Sequence, residues 1–213
     1  MSAYLVPLDT FIAGFAASPL GGRGSFAPWE LTRQSDAIVR QLLDTLDDSE
    51  FAISCEIAVH VTATVEASAT LKGPLILGPR CFVASGAYVR GGNWLAERCT
   101  LGPGSELKSS FLFPGTTLAH FNFVADSIIG AGVNLEAGSI ICNHRNERVN
   151  TEVYVRSAGV LHATGCSKFG AVVGDQCRIG ANAVLAPGAL LPRGSIVPRA
   201  SLRDDELSTD ECA

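Results

Sequence analysis

The sequence predicts an all-β solenoid, wound as a three-sided coil of hexapeptide repeats and preceded by a short N-terminal helical segment. Two observations predict this fold: a large aliphatic residue returns at every sixth position over most of the chain, and a small residue stands four places after most of them. A period of six fits neither the 3.6-residue period of a helix nor the two-residue period of a strand, so it indicates a repeat. Three hexads, about 18 residues, then complete one turn, and successive turns stack at roughly 4.8 Å.

The aliphatic residues form three runs, and we expect all of them to point into the coil. The first run has ten members without a gap: Ile53, Val59, Val65, Leu71, Leu77, Val83, Val89, Leu95, Leu101 and Leu107. After a step of four residues, the second run consists of Phe111, Thr117, Phe123, Ile129, Leu135 and Ile141. The third run consists of Val173, Ile179, Leu185, Leu191 and Val197. The step between the first two runs predicts a single shortened corner.

Small residues fill the position where the walls of such a coil converge. They are Ala63, Ala69, Cys81, Ala87, Cys99, Ser105, Ser139, Cys177, Ala183, Ala189 and Ser195, whereas Leu75, Asn93 and Phe121 depart from the pattern. Three of the seven cysteines therefore fall at inward positions. This favours buried thiols in a reducing compartment over disulfides or zinc ligands.

Composition narrows the function classes. The 213 residues are 47% hydrophobic and 17% charged, with a net charge of −5 and no basic run, so nucleic acid is not an expected partner. The sequence has no apolar run of membrane-spanning length, and its N-terminus has neither a basic start nor a cleavage site. We therefore expect a cytoplasmic protein without a membrane partner.

The pattern divides the chain into three parts. Residues 1–50 are expected to form a helical cap or packing segment, with one helix capped by Asp9 over residues 10–17 and a second running from Pro28 to near Asp47. Residues 51–202 form the coil, with an irregular loop near 142–168 that interrupts the repeat. Residues 203–213 are expected to be a solvated acidic tail.

One group of polar residues points to chemistry. His120 falls at a corner of its hexad, where an imidazole is free to reach a ligand and accept a proton near neutral pH. Arg90 and Lys108 lie on coils close by and suit a phosphate or carboxylate. Glu106 is placed to orient the imidazole, and Asn134 offers an amide to the same wall.

The segment from Ala87 to Asn143 resembles the C-terminal acetyltransferase domain of the bifunctional N-acetylglucosamine-1-phosphate uridyltransferases, especially the archaeal-type sugar-phosphate nucleotidylyltransferase/acetyltransferases. The matching elements are Arg90-Gly91, Glu106-Leu107-Lys108, His120 to Asp126, and Asn134 to Gly138. The resemblance implies a left-handed parallel β-helix, which breaks the usual right-handed crossover rule. It also implies a homotrimer with sites between its subunits.

The resemblance implies a role for each residue that matches the motif. His120 would be the general base for an acceptor amine, Arg90 and Lys108 would hold a sugar phosphate, and Asn134 would hold the sugar. The acetyl-CoA side would be lined by Ala137, Asn143 and His144, and no metal is expected. Phe123 stands where the family has a tyrosine that hydrogen-bonds the substrate.

Two alternatives remain open at this stage. A non-catalytic scaffold or sugar-phosphate binder would keep the cleft without turnover, and the loss of a hydroxyl at Phe123 favours it. A metal-dependent hydratase of similar fold would need two histidines five residues apart. His60, His120, His144 and His162 do not have that spacing.

Overall fold

The chain folds as a left-handed parallel β-helix with three flat faces, which confirms the predicted fold class. The structure is a computed structural model and describes residues 6–207. We name the faces A, B and C in the order in which the chain visits them in each turn, and we name the edges by the two faces that they join. Each face carries seven parallel strands, and face A carries in addition the antiparallel strand β1.

Short strands form each face. Face A consists of β1 (Phe51–Ser54), β2 (Ile57–His60), β5 (Leu75–Leu77), β8 (Asn93–Leu95), β11 (Phe111–Leu112), β14 (Ile128–Ile129), β19 (Ala171–Val173) and β22 (Ala189–Leu191). Face B consists of β3 (Thr64–Val65), β6 (Phe82–Val83), β9 (Thr100–Leu101), β12 (Thr117–Leu118), β15 (Asn134–Leu135), β20 (Arg178–Ile179) and β23 (Ile196–Val197). Face C consists of β4 (Thr70–Leu71), β7 (Tyr88–Arg90), β10 (Glu106–Lys108), β13 (Phe123–Ala125), β16 (Ile140–Ile141), β21 (Val184–Leu185) and β24 (Leu202–Arg203).

The predicted aliphatic column fills the interior, with one error of phase. The inward residues of the middle coils are Leu112, Leu118 and Val124, each one residue after the predicted Phe111, Thr117 and Phe123. The cause is two five-residue sides, Leu107 to Leu112 and Val124 to Ile129, instead of one step of four. Leu95 consequently pairs with Leu112, 17 residues later, whereas Leu77 and Leu95 pair at the expected spacing of 18.

Four other predicted inward positions can be compared with the structure. Ile53 is exposed in β1, which lies in an antiparallel hairpin at the start of the coil. Cys81, Cys99 and Cys177 are buried in the core as predicted, with free thiols. Hydrogen bonding to the neighbouring Cys81 thiol, together with burial, raises the pKa of Cys99.

Within the described residues, the N-terminal segment packs along face A rather than over the end of the coil. Its helices are α1 (Leu8–Phe11), a 3-10 turn (Gly21–Arg23), α2 (Pro28–Arg33) and α3 (Ser35–Leu43). The first helix is therefore shorter than predicted and begins after Pro7 with no cap from Asp9, and the second is divided at Gln34. The helices, together with residues 153–169 near the last strand, bury the outward apolar residues of face A, which are Ala58, Ile76, Trp94, Phe111, Ile128, Val172 and Leu190. Each large side chain buried in this way contributes about 1.5–3 kcal/mol.

Residues 142–170 form an insertion that leaves the coil at the C–A edge, between β16 and β19. The insertion contains an antiparallel hairpin of β17 (Tyr154–Ser157) and β18 (Val160–Ala163), so it is more regular than predicted. The longest helix within residues 6–207 is α3 with nine residues, too short to cross a bilayer, which requires about 20.

Part of the predicted acidic tail is tied to this insertion and is not solvated. Arg145 is buried and donates to both carboxylate oxygens of Asp204, at 2.6 and 2.8 Å. It also lies 3.0 Å from Glu206, whose other oxygen pairs with Arg148. Ion pairing therefore fastens the insertion to the chain after the last strand. The rest of the predicted tail, residues 208–213, lies outside the described residues.

Candidate functional site

The structure distributes the predicted site residues over two faces and two edges. Arg90, Glu106, Lys108 and Phe123 point outward from face C; His120 and Ala137 lie on the B–C edge; Asn134 lies on face B; and Asn143 and His144 begin the insertion at the C–A edge. Face A carries none of them, because the N-terminal helices cover it.

His120 occupies an exposed position on the B–C edge, as predicted for a corner residue. Its carbonyl accepts a hydrogen bond from Gly138 N at 2.9 Å, so Ala137 follows it one coil further along the same edge. The His120 side chain makes no hydrogen bond within residues 6–207. An imidazole in this position is free to meet a ligand.

The sequence pattern did not identify the aromatic ring beside His120, that of Phe121, as part of the site. Phe121 is 71% exposed, and its ring lies over Gly104, where a Cβ would stand 2.5 Å from the ring. The sequence carried a signal, since Phe121 departs from the small-residue pattern and so has to point outward. The ring offers an apolar surface next to the imidazole.

A ladder of buried polar side chains fixes the backbone under His120. Asn122 is 2% exposed and donates to Ser139 Oγ at 2.9 Å and to the carbonyl of Glu136 at 2.8 Å. The hydroxyl of Ser105, one coil before, lies 3.4 Å from Asn122 Oδ1. With Leu118 as the inward residue, Asn122 fills the small position that the sequence pattern assigned to Phe121.

Replacing Asn122 by alanine is expected to destabilise the protein by about 1–3 kcal/mol, because buried carbonyl and hydroxyl groups lose their donor. For a chain of this size, that corresponds to a fall in Tm of roughly 2–4 °C per kcal/mol. Calorimetry measures the change. Asn134→Ala, at an exposed strand position, is the matched control and should leave Tm in place. Equal Tm changes in the two variants would contradict a structural role for the ladder.

On face C, the predicted cations have acidic partners within the chain. Arg90 and Glu106 lie on adjacent strands, and Arg90 Nε donates to Glu106 Oε1 at 2.8 Å. Glu106 therefore holds Arg90 in this structure and not the imidazole that it was expected to orient. Both side chains remain partly exposed, at 40% and 32%, so a stronger anionic ligand can compete for the guanidinium.

Lys108 and Asn143 share one carboxylate at the C–A edge. Lys108 Nζ lies 3.0 Å from both oxygens of Asp126, and Asn143 Nδ2 donates to one of them. Asp126 is 6% exposed. His144 follows, with its Nδ1 2.9 Å from the carbonyl of Ser167. Asn143 and His144 thus lie across face C from His120, at the base of the insertion.

Asn134 is exposed on face B and lines a cleft of about 260 Å³ with Glu136, Arg178 and Arg199. Arg199 binds both oxygens of Glu136, at 2.7 and 2.8 Å, and a backbone N–H of Ala181 donates to the same carboxylate. These contacts, the Arg199 bonds first, lower the pKa of Glu136 to about 2. Face B therefore offers a second polar surface that begins close to the B–C edge.

These positions define what the site can do. A free imidazole lies between two uncovered faces, one with an arginine and a lysine and the other with an amide and an arginine. This arrangement suits proton transfer from an acceptor next to an anionic group. Within residues 6–207, no three His, Cys, Asp or Glu side chains are grouped to hold a metal ion.

Comparisons with known proteins bear out the sequence resemblance. The chain is 27% identical over 161 residues to the bifunctional sugar-1-phosphate nucleotidylyltransferase/acetyltransferase of Sulfurisphaera tokodaii, a match that covers 67% of this chain and 40% of that protein. It is 33% identical over 107 residues to the bifunctional protein GlmU of Methanococcus vannielii, which covers 50% of this chain and 25% of that protein. The chain thus spans less than half the length of these curated relatives.

Comparisons with solved structures and with protein-family models gave the following. A solved hexapeptide transferase family protein from Anaplasma phagocytophilum is 19% identical, with 68% of this chain and 72% of that chain covered and a TM-score of 0.35. No protein-family model matches the chain.

Proposed function

We propose that this chain is an acetyl-CoA-dependent acetyltransferase whose acceptor is an amino-sugar phosphate. One observation carries the proposal: the exposed imidazole of His120 lies on the edge shared by the two faces that the N-terminal helices leave uncovered. Arg90 and Lys108 stand on one of those faces, where they suit the phosphate of an acceptor. The relatives support the same chemistry, because the name of the Sulfurisphaera protein includes both a sugar-1-phosphate and acetyl transfer.

The proposed reaction is direct transfer. Neutral His120 accepts a proton from the acceptor amine while the amine nitrogen attacks the thioester carbonyl of acetyl-CoA. A backbone N–H from a neighbouring coil stabilises the oxyanion, the carbon–sulfur bond breaks, and the proton on His120 passes to the departing thiolate. This sequence forms one amide bond, breaks one thioester and leaves the histidine neutral.

Each remaining site residue has a place in this proposal. Arg90 and Lys108 bind the phosphate, Glu106 positions Arg90, and Asn134 contacts the sugar. Phe123 packs against the sugar as an apolar surface. Ala137, Asn143 and His144 line the acetyl-CoA, which reaches the site along the edges of the coil.

The assembly we propose is a homotrimer. Face A is buried under the helices, so faces B and C are the walls left for a neighbouring chain. Closed threefold symmetry sets a wall of one coil against the next and makes a crevice for a long, thin cofactor. His120 and Ala137 lie on one edge of face C, and Asn143 and His144 on the other. One acetyl-CoA molecule contacts the residues of both edges when one edge belongs to one subunit and the other edge to its neighbour.

A non-catalytic sugar-phosphate binder is the second candidate. It is favoured by Phe123, which lacks the hydroxyl of the tyrosine that hydrogen-bonds the substrate in the family the sequence resembles. Incubation with acetyl-CoA and glucosamine phosphate, followed by mass spectrometry of the sugar, separates the two. Acetylated product supports the enzyme, whereas calorimetric binding of the sugar phosphate without product supports the binder.

Phe123→Tyr restores a hydroxyl on the outer side of face C and is expected to lower KM for the acceptor about three- to tenfold, the worth of one added hydrogen bond. Steady-state kinetics with a varied acceptor measures the change. Phe82→Tyr, at a half-buried outward position on face B, is the matched control and is expected to leave KM as it is. Unchanged KM in Phe123→Tyr would mean that no polar group of the acceptor faces position 123.

A further inference from the structure

A cleft of about 350 Å³ opens at the C–A edge, between the N-terminal helices and the insertion. Three separate parts of the chain line it: Arg33 and Ser35 of the helices, Lys108 and Ser109 of the coil, and Cys166 and Lys168 of the insertion. Only Lys108 belongs to the acceptor site described above. The other five lie outside the residues that the family resemblance assigns.

The charges in this cleft leave a cationic surplus. Its three cations, Arg33, Lys108 and Lys168, face two carboxylates, Asp36 and Asp126. Asp126 is already saturated by Lys108 and Asn143. Arg33 and Lys168 are exposed and have no hydrogen bond or ion pair in the described chain. They are therefore available to a bound anion.

Hydroxyl donors accompany these cations. Ser35 is only 2% exposed, yet its side chain lines the cleft and has no hydrogen-bond partner among residues 6–207. A hydroxyl without a partner in the protein can donate to an anion bound in the cleft. Ser109, 9% exposed, also lines the cleft.

The helix that carries Ser35 adds a partial positive charge that favours an anion in the cleft. α3 has nine residues and begins at Ser35, and its N-cap, Gln34, provides no side-chain hydrogen bond. The uncapped end of a helix carries partial positive charge and free N–H groups.

Two glycines seat this helix end on the coil. A Cβ at Gly92 would stand 2.4 Å from Asp36 N and 2.5 Å from Ser35 Oγ, so only glycine permits the approach. Gly91 has a φ of +63° and turns the chain at the same corner. The start of α3 is thus held against the corner at Gly91 and Gly92, and the cleft that Arg33, Ser35 and Lys108 line lies at this contact.

We infer that this cleft binds a phosphate group, and, on the basis of the proposed function, that this is the phosphate of the acceptor sugar. Lys108 joins the cleft to face C, so a sugar held on face C extends its phosphate toward Arg33, Ser35 and Lys168. These three residues determine acceptor specificity, and they come from segments outside the repeat. A phosphate monoester fits the chemistry, since it accepts hydrogen bonds from two cations and a hydroxyl at once.

Cys166 provides a direct test that does not depend on turnover. Cys166 is one of the lining residues and is half-buried, with its Sγ 3.0 Å from Thr164 Oγ1, while Cys55 is exposed in the β1–β2 hairpin and serves as the internal control. Alkylation by iodoacetamide is followed at both cysteines by peptide mass spectrometry, with and without inorganic phosphate or glucosamine phosphate. We expect saturating phosphate to slow alkylation of Cys166 several-fold and to leave Cys55 unaffected. Equal rates at Cys166 with and without phosphate would overturn the site.

Variants assign the protection to named residues. Arg33→Gln, Lys168→Gln and Ser35→Ala should each weaken the protection, with the midpoint for phosphate rising about tenfold for the loss of a charge. Arg98→Gln is the matched control, because Arg98 is 58% exposed and lies on the A–B edge away from the cleft. Protection that persists unchanged in Arg33→Gln and Lys168→Gln would contradict the assignment.

Kinetics separates the acceptor phosphate from a free anion. Arg33→Gln and Lys168→Gln should raise KM for glucosamine phosphate at least about tenfold more than KM for unphosphorylated glucosamine. Equal rises for both acceptors would overturn the acceptor assignment while leaving a free phosphate site. Protection of Cys166 without any acetyl transfer would contradict the proposed function and still support the phosphate site.

Discussion

Replacing His120 by alanine is expected to reduce kcat for acetyl transfer by about 10²- to 10⁴-fold, the usual contribution of a positioned general base. The side chain is exposed and makes no hydrogen bond in the described chain, so the fold should be unaffected. Turnover is measured with saturating acetyl-CoA and glucosamine phosphate. Circular dichroism and light scattering confirm that the coil and its assembly are intact.

Two controls make the His120 result specific. His162→Ala removes an imidazole from the hairpin of the insertion and should leave kcat unchanged. Binding of CoA to His120→Ala, measured by calorimetry, should stay close to that of the unaltered protein, because the base contributes to the transition state and not to the donor site. Full turnover in His120→Ala would remove the base from the mechanism.

Replacing Arg145 by alanine is expected to have the largest effect on stability, about 3–5 kcal/mol at the insertion, the cost of breaking a buried ion pair. The Arg145 side chain is 3% exposed, and Asp204 and Glu206 are 8% and 11% exposed, so both carboxylates would lose a buried partner. Hydrogen exchange over residues 142–170 measures the loss. Arg148→Ala, whose side chain is 28% exposed, is the matched control and should have a smaller effect. Equal protection in Arg145→Ala and the unaltered protein would contradict the role of the ion pairs that Arg145 makes with Asp204 and Glu206.

The ion pair between Arg145 and Asp204 should weaken in acid. Burial raises the pKa of Asp204, but the hydrogen bond and charge of Arg145 more than offset this, so the pKa lies below its ordinary value. A carboxyl with a depressed pKa contributes stability that is present above the unfolded pKa, about 3.9, and is lost as pH falls through the folded pKa. The protection factors within the insertion, which correct for the slower intrinsic exchange of amides in acid, should therefore fall below about pH 4. A fall in protection that begins well above that pH would point to another group.

The period of six was sufficient to predict the coil, its three faces and most of its interior. It was insufficient in the middle coils, because Phe111 is apolar and fully buried although it points outward. Its burial comes from the N-terminal helices, and sequence periodicity does not distinguish burial inside the coil from burial under a neighbouring segment. The two five-residue sides were therefore read as one step of four.

In the candidate site, the sequence predicted the positions of the side chains but not their partners. The sequence spacing placed His120 at an exposed corner and Arg90 with Lys108 on one face, because coil geometry follows from residue number. The partners of these side chains did not follow from it: Glu106 turns to Arg90, and Asn143 joins Lys108 through Asp126. The C–A cleft was beyond prediction, since it depends on where Ser35 and Arg33 dock, and that docking has no sequence period.

The most direct test of the central claim is a crystal structure of the protein with CoA and glucosamine phosphate bound. We expect the amine nitrogen of the sugar within about 3 Å of a ring nitrogen of His120, at a boundary between two subunits. The phosphate should lie against Arg90 and Lys108 of face C and against Arg33 and Lys168 of the C–A cleft. Ligands bound on another face, with the His120 ring open to bulk solvent, would contradict the account.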